Sequence, residues 1–131
     1  AAISHDVGRH DDGLDPEHGQ RSAQWIRQNL RSVLKPEQMD IATYIVHWHV
    51  PSDSHAPVMT TELKVLKDAD ALDRVRLGDL DPNYLRTDVA KSMFPLAEQL
   101  YEISQYYGNV ENSEPFEAVI KAAQKLRIIE S

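Results

Sequence analysis

The distribution of helix start and stop signals constrains this chain most. Seven prolines and five glycines punctuate segments whose apolar residues recur at helical spacing. No segment alternates apolar and polar residues as a half-buried strand does. Asp15 reads as an N-cap with Pro16 at the first helical position. Ala23, Trp25, Ile26, Leu30, Val33 and Leu34 then recur at helical spacing, to about Leu34. Pro36 starts a second helix running to about Val50, and "PSDSHAP" is a loop by composition. Thr60 or Thr61 caps a third, "ELKVLKDADALDRVRL", that Gly78 ends. After the loop "GDLDPNYLRT", Thr87 caps "DVAKSMF". Pro95 either kinks that helix or begins the next, which stops at Gly108. Ser113 caps a last helix, with Pro115 in its first turn, running to about Ile128. "AAIS" reads as the last turn of a helix that begins further upstream. The expected fold is all-α: a compact bundle of five to six helices in one domain spanning 1–131, completed by helices within 88–128.

The 131 residues fit one domain with a usable core. Lys and Arg total 14 against 21 Asp and Glu, a formal charge of −7. That sign disfavours binding to a long nucleic-acid backbone, though not to a small anion, because a bound cation reverses the local field. The chain has no Cys, which excludes disulfides and thiolate metal sites. With no apolar run of membrane-spanning length and no export signal, the expectation is a soluble, cytoplasmic protein that binds no membrane. Oligomeric state is open: "PFEAVIKAAQKLRII" is amphipathic enough to pack on the core or on a second subunit.

Candidate ligands cluster at three places. At about 100° per residue, Ala42, Ile45, Val46 and His49 share one narrow stripe, with His47 almost opposite. His49 is thus either a core histidine satisfied by one hydrogen bond or a ligand entering a buried site. On the third helix Leu63, Leu66, Asp70 and Leu77 share a face, with Asp73 and Arg74 at its edges, whereas Asp68 lies across with Val65, Leu72 and Val75. A carboxylate among leucines must be paired or metal-bound, so Asp70 is either an i,i+4 partner of Arg74 or a ligand. In the opening stretch His5 and Asp6 are adjacent and follow apolar residues directly. His10, Asp11 and Asp12 read as a solvated loop. His18, one turn into its helix, is tolerated best as the neutral imidazole, which is also the metal-binding form. Hard and intermediate ligands without sulfur suit Mn²⁺, Fe²⁺, Mg²⁺ or Zn²⁺, as one or two ions.

These segments resemble the HD-domain superfamily of metal-dependent phosphohydrolases over roughly residues 1–77. "AAISHDVGR" is similar to its His-Asp dyad, and "LKDADALDRVR" to the downstream motif that supplies a further ligand. "DPEHGQRSA" and "IVHWHVPSD" resemble segments that carry additional histidines in some branches. The resemblance implies an HD-like helical fold with His5, Asp6, Asp70, His18 and His49 as metal ligands. Aligning "ADALDRVR" with the family's Ala-Asp-x-Leu pattern selects Asp70 over Asp68, and His47 is an outside candidate. The family also carries a His on a helix before the dyad, while this sequence starts four residues before His5; either the missing ligand lies upstream, which is the favoured expectation, or the site is incomplete.

The implied activity is hydrolysis of a nucleotide or other small phosphoester by metal-activated water. Asp6 would act at the metal, Asp73 or Asp12 would orient the water, and Arg9 or Arg74 would hold a phosphate oxygen. A second expectation is a regulatory or ligand-binding module that keeps the fold without turnover. A third is a di-iron oxygenase.

Overall fold

The computed structural model describes residues 1–10 and 13–130. Asp11 and Asp12, expected in a loop, lie outside the described residues. Five α-helices follow one another: α1 (His18–Asn29), α2 (Pro36–Trp48), α3 (Thr61–Asp73), α4 (Asp88–Asn109) and α5 (Pro115–Lys125). Short 3₁₀ turns occupy Ala2–Ser4, Asp53–His55, Arg74–Leu77 and Pro82–Tyr84. No strand occurs among the described residues. No helix among them is long and apolar enough to cross a membrane. The contacts group into two units, 1–67 and 68–131, described in turn.

In the first unit α1 packs against α2. Ile26, Val46 and Leu63 are fully buried there, with Ala23, Ala42, Ile45 and Leu66 around them. Removing each of the three large side chains from water contributes about 1.5–3 kcal/mol. Gly19 permits the close approach of the two helices: a Cβ there would lie 2.7 Å from the Val46 carbonyl oxygen and 2.9 Å from that of His47. The Tyr44 hydroxyl donates to the Val58 carbonyl (2.7 Å) and accepts from the Val58 N–H (2.9 Å), tying the loop after α2 to that helix.

Boundaries here differ from those the sequence suggests. Asp15 is not the cap of α1, because Arg21 and the His10 N–H take its carboxylate. The helix starts at His18, whose N–H donates to the Asp15 carbonyl at 3.3 Å. It ends at Asn29 rather than Leu34. Pro36 disfavours helical backbone at the residue before it, and Lys35 is extended, with φ −67° and ψ 155°. "AAIS" forms a 3₁₀ turn.

The second unit is organised around a buried carboxylate and a helix pair. Asp68, 2% exposed, accepts from the Arg86 N–H and the Thr87 N–H at 2.8 Å each, and from the Thr87 hydroxyl at 2.8 Å. Thr87 in turn caps α4, its Oγ1 accepting from Ala90 N–H at 3.1 Å. Gly78 ends the preceding 3₁₀ turn in left-handed backbone at φ 71°, a conformation that favours glycine. The α4 helix runs through Pro95, which forgoes one main-chain hydrogen bond. α4 packs on α5, and a cavity of about 740 Å³ opens among Leu72, Met93, Leu96, Leu100, Val119 and Ile128.

α5 begins after Glu114 rather than at a Ser113 cap, since Ser113 Oγ accepts instead from Lys121 Nζ at 2.9 Å. It ends at Lys125, not near Ile128. There the Arg127 N–H bonds the Gln124 carbonyl and the Ile128 N–H the Ala123 carbonyl, each at 2.9 Å. This is a Schellman closure, with Arg127 in the left-handed position at φ 56°.

Candidate metal centre

Three histidines from three separate segments meet at Asp6, and in each the ring is fixed by a main-chain carbonyl three residues earlier. His5 Nδ1 lies 2.7 Å from the Ala2 oxygen, His18 Nδ1 2.6 Å from Asp15 O, and His49 Nδ1 2.6 Å from Val46 O. A carbonyl oxygen only accepts, so each Nδ1 carries the proton. In the neutral ring Nε2 is then a bare lone pair. Three different backbones produce this geometry: the 3₁₀ turn before His5, the turn that leads into α1, and the last turn of α2.

The Nε2 atoms converge. His18 Nε2 is 3.1 Å from His49 Nε2 and 3.0 Å from Asp6 Oδ1, which is 3.7 Å from His49 Nε2. His5 Nε2 lies 3.5 Å from Asp6 Oδ2. The rings of His5 and His18 both meet His49 edge-on, with centroids 5.1 and 5.0 Å apart. One ligand atom from each of His5, Asp6 and His49 can be chosen so that all three lie within 4.8 Å of one another. Bare acceptors at these separations repel unless a proton or a cation sits between them. The donor set, imidazole and carboxylate with protonated Nδ1 atoms held from behind, is the arrangement that metal-ligating histidines adopt. His18 and His49 are buried, while the Asp6 side chain is 41% exposed. The cluster is therefore open to solvent on its carboxylate side, as a site that must admit substrate requires.

The turn that carries Asp6 is closed by the Arg9 N–H bonding the Asp6 carbonyl at 2.9 Å. Gly8, in its middle, lies directly on α1: its N–H donates to Ser22 Oγ and its carbonyl accepts from Arg21 Nε, both at 2.9 Å. A Cβ on Gly8 would sit 2.6 Å from Ser22 N. The Arg21 guanidinium also bonds the Asp15 carboxylate, holding it below the usual carboxylate range despite some desolvation. Lys67 is buried and its ammonium bonds the Pro51 carbonyl and, at 3.0 Å, Asp53.

Of the residues singled out from sequence, His5, Asp6, His18 and His49 are brought together. Arg9 stands beside them, its guanidinium 3.6 Å from Asp6 Oδ2. His47 packs its ring on Trp48, with centroids 4.5 Å apart. Asp70, Asp73 and Arg74 belong to the second unit. Asp70 is exposed, contrary to the burial expected from its leucine stripe. Asp68 is the buried carboxylate, and its oxygens are committed to Arg86 and Thr87. Asp73 accepts from Arg76 Nε at 2.7 Å, and Arg74 pairs with Asp79. Arg21, Ser22, Asp15 as a tertiary partner, and Lys67 carry no mark in the sequence. No periodicity marks them, because each acts through a contact distant in the chain.

Comparison with family models, with curated proteins and with solved structures gave no match for this chain.

Proposed function

We propose that the chain is a metal-dependent phosphohydrolase of HD-domain type, acting on a nucleotide or other small phosphoester. The observation that carries this reading is the convergence of three Nε2 atoms on Asp6, with every Nδ1 held by a main-chain carbonyl. A purely structural cluster of polar side chains would be paired donor to acceptor. With neutral rings this one faces acceptor to acceptor, which suits a divalent cation.

His5, Asp6, His18 and His49 would hold the ion. When bound, the ion supplies Lewis-acid polarisation of a phosphoryl oxygen and lowers the pKa of a coordinated water. The chain's own residues do the rest. The three carbonyl locks keep the rings in the binding tautomer, so no reorganisation is needed when the ion arrives. Arg9 offers a guanidinium at the open edge of the site, where it can hold a phosphate oxygen in two-pronged fashion. The net charge of −7 favours a small phosphate over a long nucleic acid.

The test is release of inorganic phosphate from a panel of nucleotides and sugar phosphates with Mn²⁺, Fe²⁺, Mg²⁺ or Zn²⁺. Activity that depends on the ion and is lost in Asp6→Ala is expected. Ion-independent activity, or an Asp6→Ala variant as active as wild type, overturns the reading.

A further inference from the structure

We propose that Arg21, held by Asp15, is a positioning residue for the histidine–carboxylate cluster, coupling the turn that carries Asp6 to the helix that carries His18. The inference rests on the reading of that cluster as a cation site and assigns a role to two residues that touch none of the converging ligand atoms.

Arg21 reaches two places with one planar group. Its Nε donates to the Gly8 carbonyl at 2.9 Å, and its terminal nitrogen to the Asp15 carboxylate. Gly8 lies two residues after Asp6, inside the turn that the Arg9 N–H to Asp6 carbonyl bond closes. The other side of the Gly8 residue is anchored as well, its N–H on Ser22 Oγ at 2.9 Å. Two consecutive residues of α1 therefore grip one glycine, and no side chain fits between. This sets where the turn, and Asp6 with it, stands against α1.

Asp15 closes the circuit from the other end. Its carboxylate takes Arg21 and, at 3.3 Å, the His10 N–H. Its main-chain carbonyl takes the His18 ring Nδ1–H at 2.6 Å and the His18 N–H at 3.3 Å. One residue thus fixes the Asp6 turn through its side chain and the His18 tautomer through its backbone. A shift of Asp15 moves both, and His18 Nε2 stands only 3.0 Å from Asp6 Oδ1. Outer partners of this kind affect metal affinity by about 10–100-fold when removed.

The geometry of the guanidinium matters. A lysine ammonium keeps the charge but lacks the planar fork that serves Gly8 and Asp15 together. Arg21→Lys is therefore expected to behave as a loss of the clamp.

The experiment measures Mn²⁺ affinity by calorimetry and the His18 imidazole ¹⁵N shifts in metal-free protein. It uses the full chain as wild type, Arg21→Gln, Arg21→Lys, Asp15→Asn, the Asp15→Asn/Arg21→Gln double variant and the milder Ser22→Ala. Lys121→Gln, which removes a surface pair with Glu117, is the control. The expected result is an Mn²⁺ Kd raised about ten-fold or more in each Arg21 and Asp15 variant. The double variant is no worse than the poorer single one, because the two residues act as a unit. His18 is expected to shift from the pure Nδ1–H form to a mixture with the Nε2–H form in the same variants, and neither readout is expected to change in Lys121→Gln. Folded Arg21 and Asp15 variants that bind Mn²⁺ as wild type does and keep the Nδ1–H form overturn the proposal. Should wild type bind no Mn²⁺, the cation reading falls by itself. The His18 spectra then decide the clamp: a changed tautomer in the variants supports it, and an unchanged one overturns it.

Discussion

His18 Nε2 faces His49 Nε2 across 3.1 Å, and since both Nδ1 atoms donate to carbonyls, the two rings can meet there only through a proton or a cation. Two neutral imidazoles held in these tautomers repel at this separation unless a proton or a cation comes between them. Under the proposed reading a cation takes that place, and substitutions there should separate stability from binding.

His49→Leu removes one of the facing lone pairs. In the presence of chelator its melting temperature is expected to stay close to that of wild type, the lost Val46 bond being offset by the relieved contact. Mn²⁺ at a hundred times its Kd is expected to stabilise wild type by about 2.7 kcal/mol, a rise on the order of 10 °C. The same Mn²⁺ leaves His49→Leu unchanged. Thermal scans with and without the ion check both halves. An equal Mn²⁺ shift in the variant contradicts the assignment of His49.

Gly8 and Gly19 are held to their identity by close approach. Gly8→Ala puts a methyl 2.6 Å from Ser22 N, and Gly19→Ala puts one 2.7 Å from Val46 O. Neither neighbour is a flexible side-chain tip, so each substitution is expected to cost about 1–3 kcal/mol. Gly8→Ala is also expected to weaken Mn²⁺ binding, since it lifts the Asp6 turn off α1. Urea melts and calorimetry on the two variants provide the check.

Asp68 supplies a pH dependence of known sign. Burial pushes its carboxyl up, but the hydrogen bonds from Arg86 and Thr87 outweigh burial and leave it below the ordinary value of 3.8. A folded pKa below the unfolded one means that the stabilisation is fully present above the unfolded pKa. It is lost as pH falls through the folded one. Asp68→Ala is expected to lose about 3 kcal/mol at neutral pH. Its acid denaturation profile should lack the component wild type shows below about pH 4. Denaturant melts from neutral to acid pH test this, and parallel profiles for the two proteins would refute it.

Arg127 occupies the left-handed position of the Schellman closure after α5. Glycine adopts that conformation without the Cβ clash, so Arg127→Gly is expected to stabilise the chain by about 0.5–1 kcal/mol. A lower melting temperature in the variant contradicts the account of this helix end.

Helix punctuation was legible because Pro36, Thr60, Gly78 and Thr87 act locally: each sets the backbone or caps an N–H within a few residues of itself. Asp15 and Ser113 have the same composition signals, yet tertiary partners took their side chains, Arg21 for one and Lys121 for the other. A local reading has no access to that competition. The same division runs through the site. His5 and Asp6 stood out as an adjacent pair, and helical phase correctly put His49 on the buried stripe and His47 off it. Phase did not predict which of Asp68 and Asp70 is buried, because residues 86 and 87, far along the chain, come to Asp68 and bury it. The Arg21–Gly8 contact spans 13 residues with no repeat to betray it.

The proposed role of the cluster is to hold an ion that activates water against a phosphoester. Its most direct measurement is phosphate release from nucleoside monophosphates by wild type and Asp6→Ala, each stripped of metal and then titrated with Mn²⁺. Release by wild type is expected to rise with Mn²⁺ to saturation, with none above background from Asp6→Ala. Release that ignores Mn²⁺, or equal release by the two proteins, would contradict it.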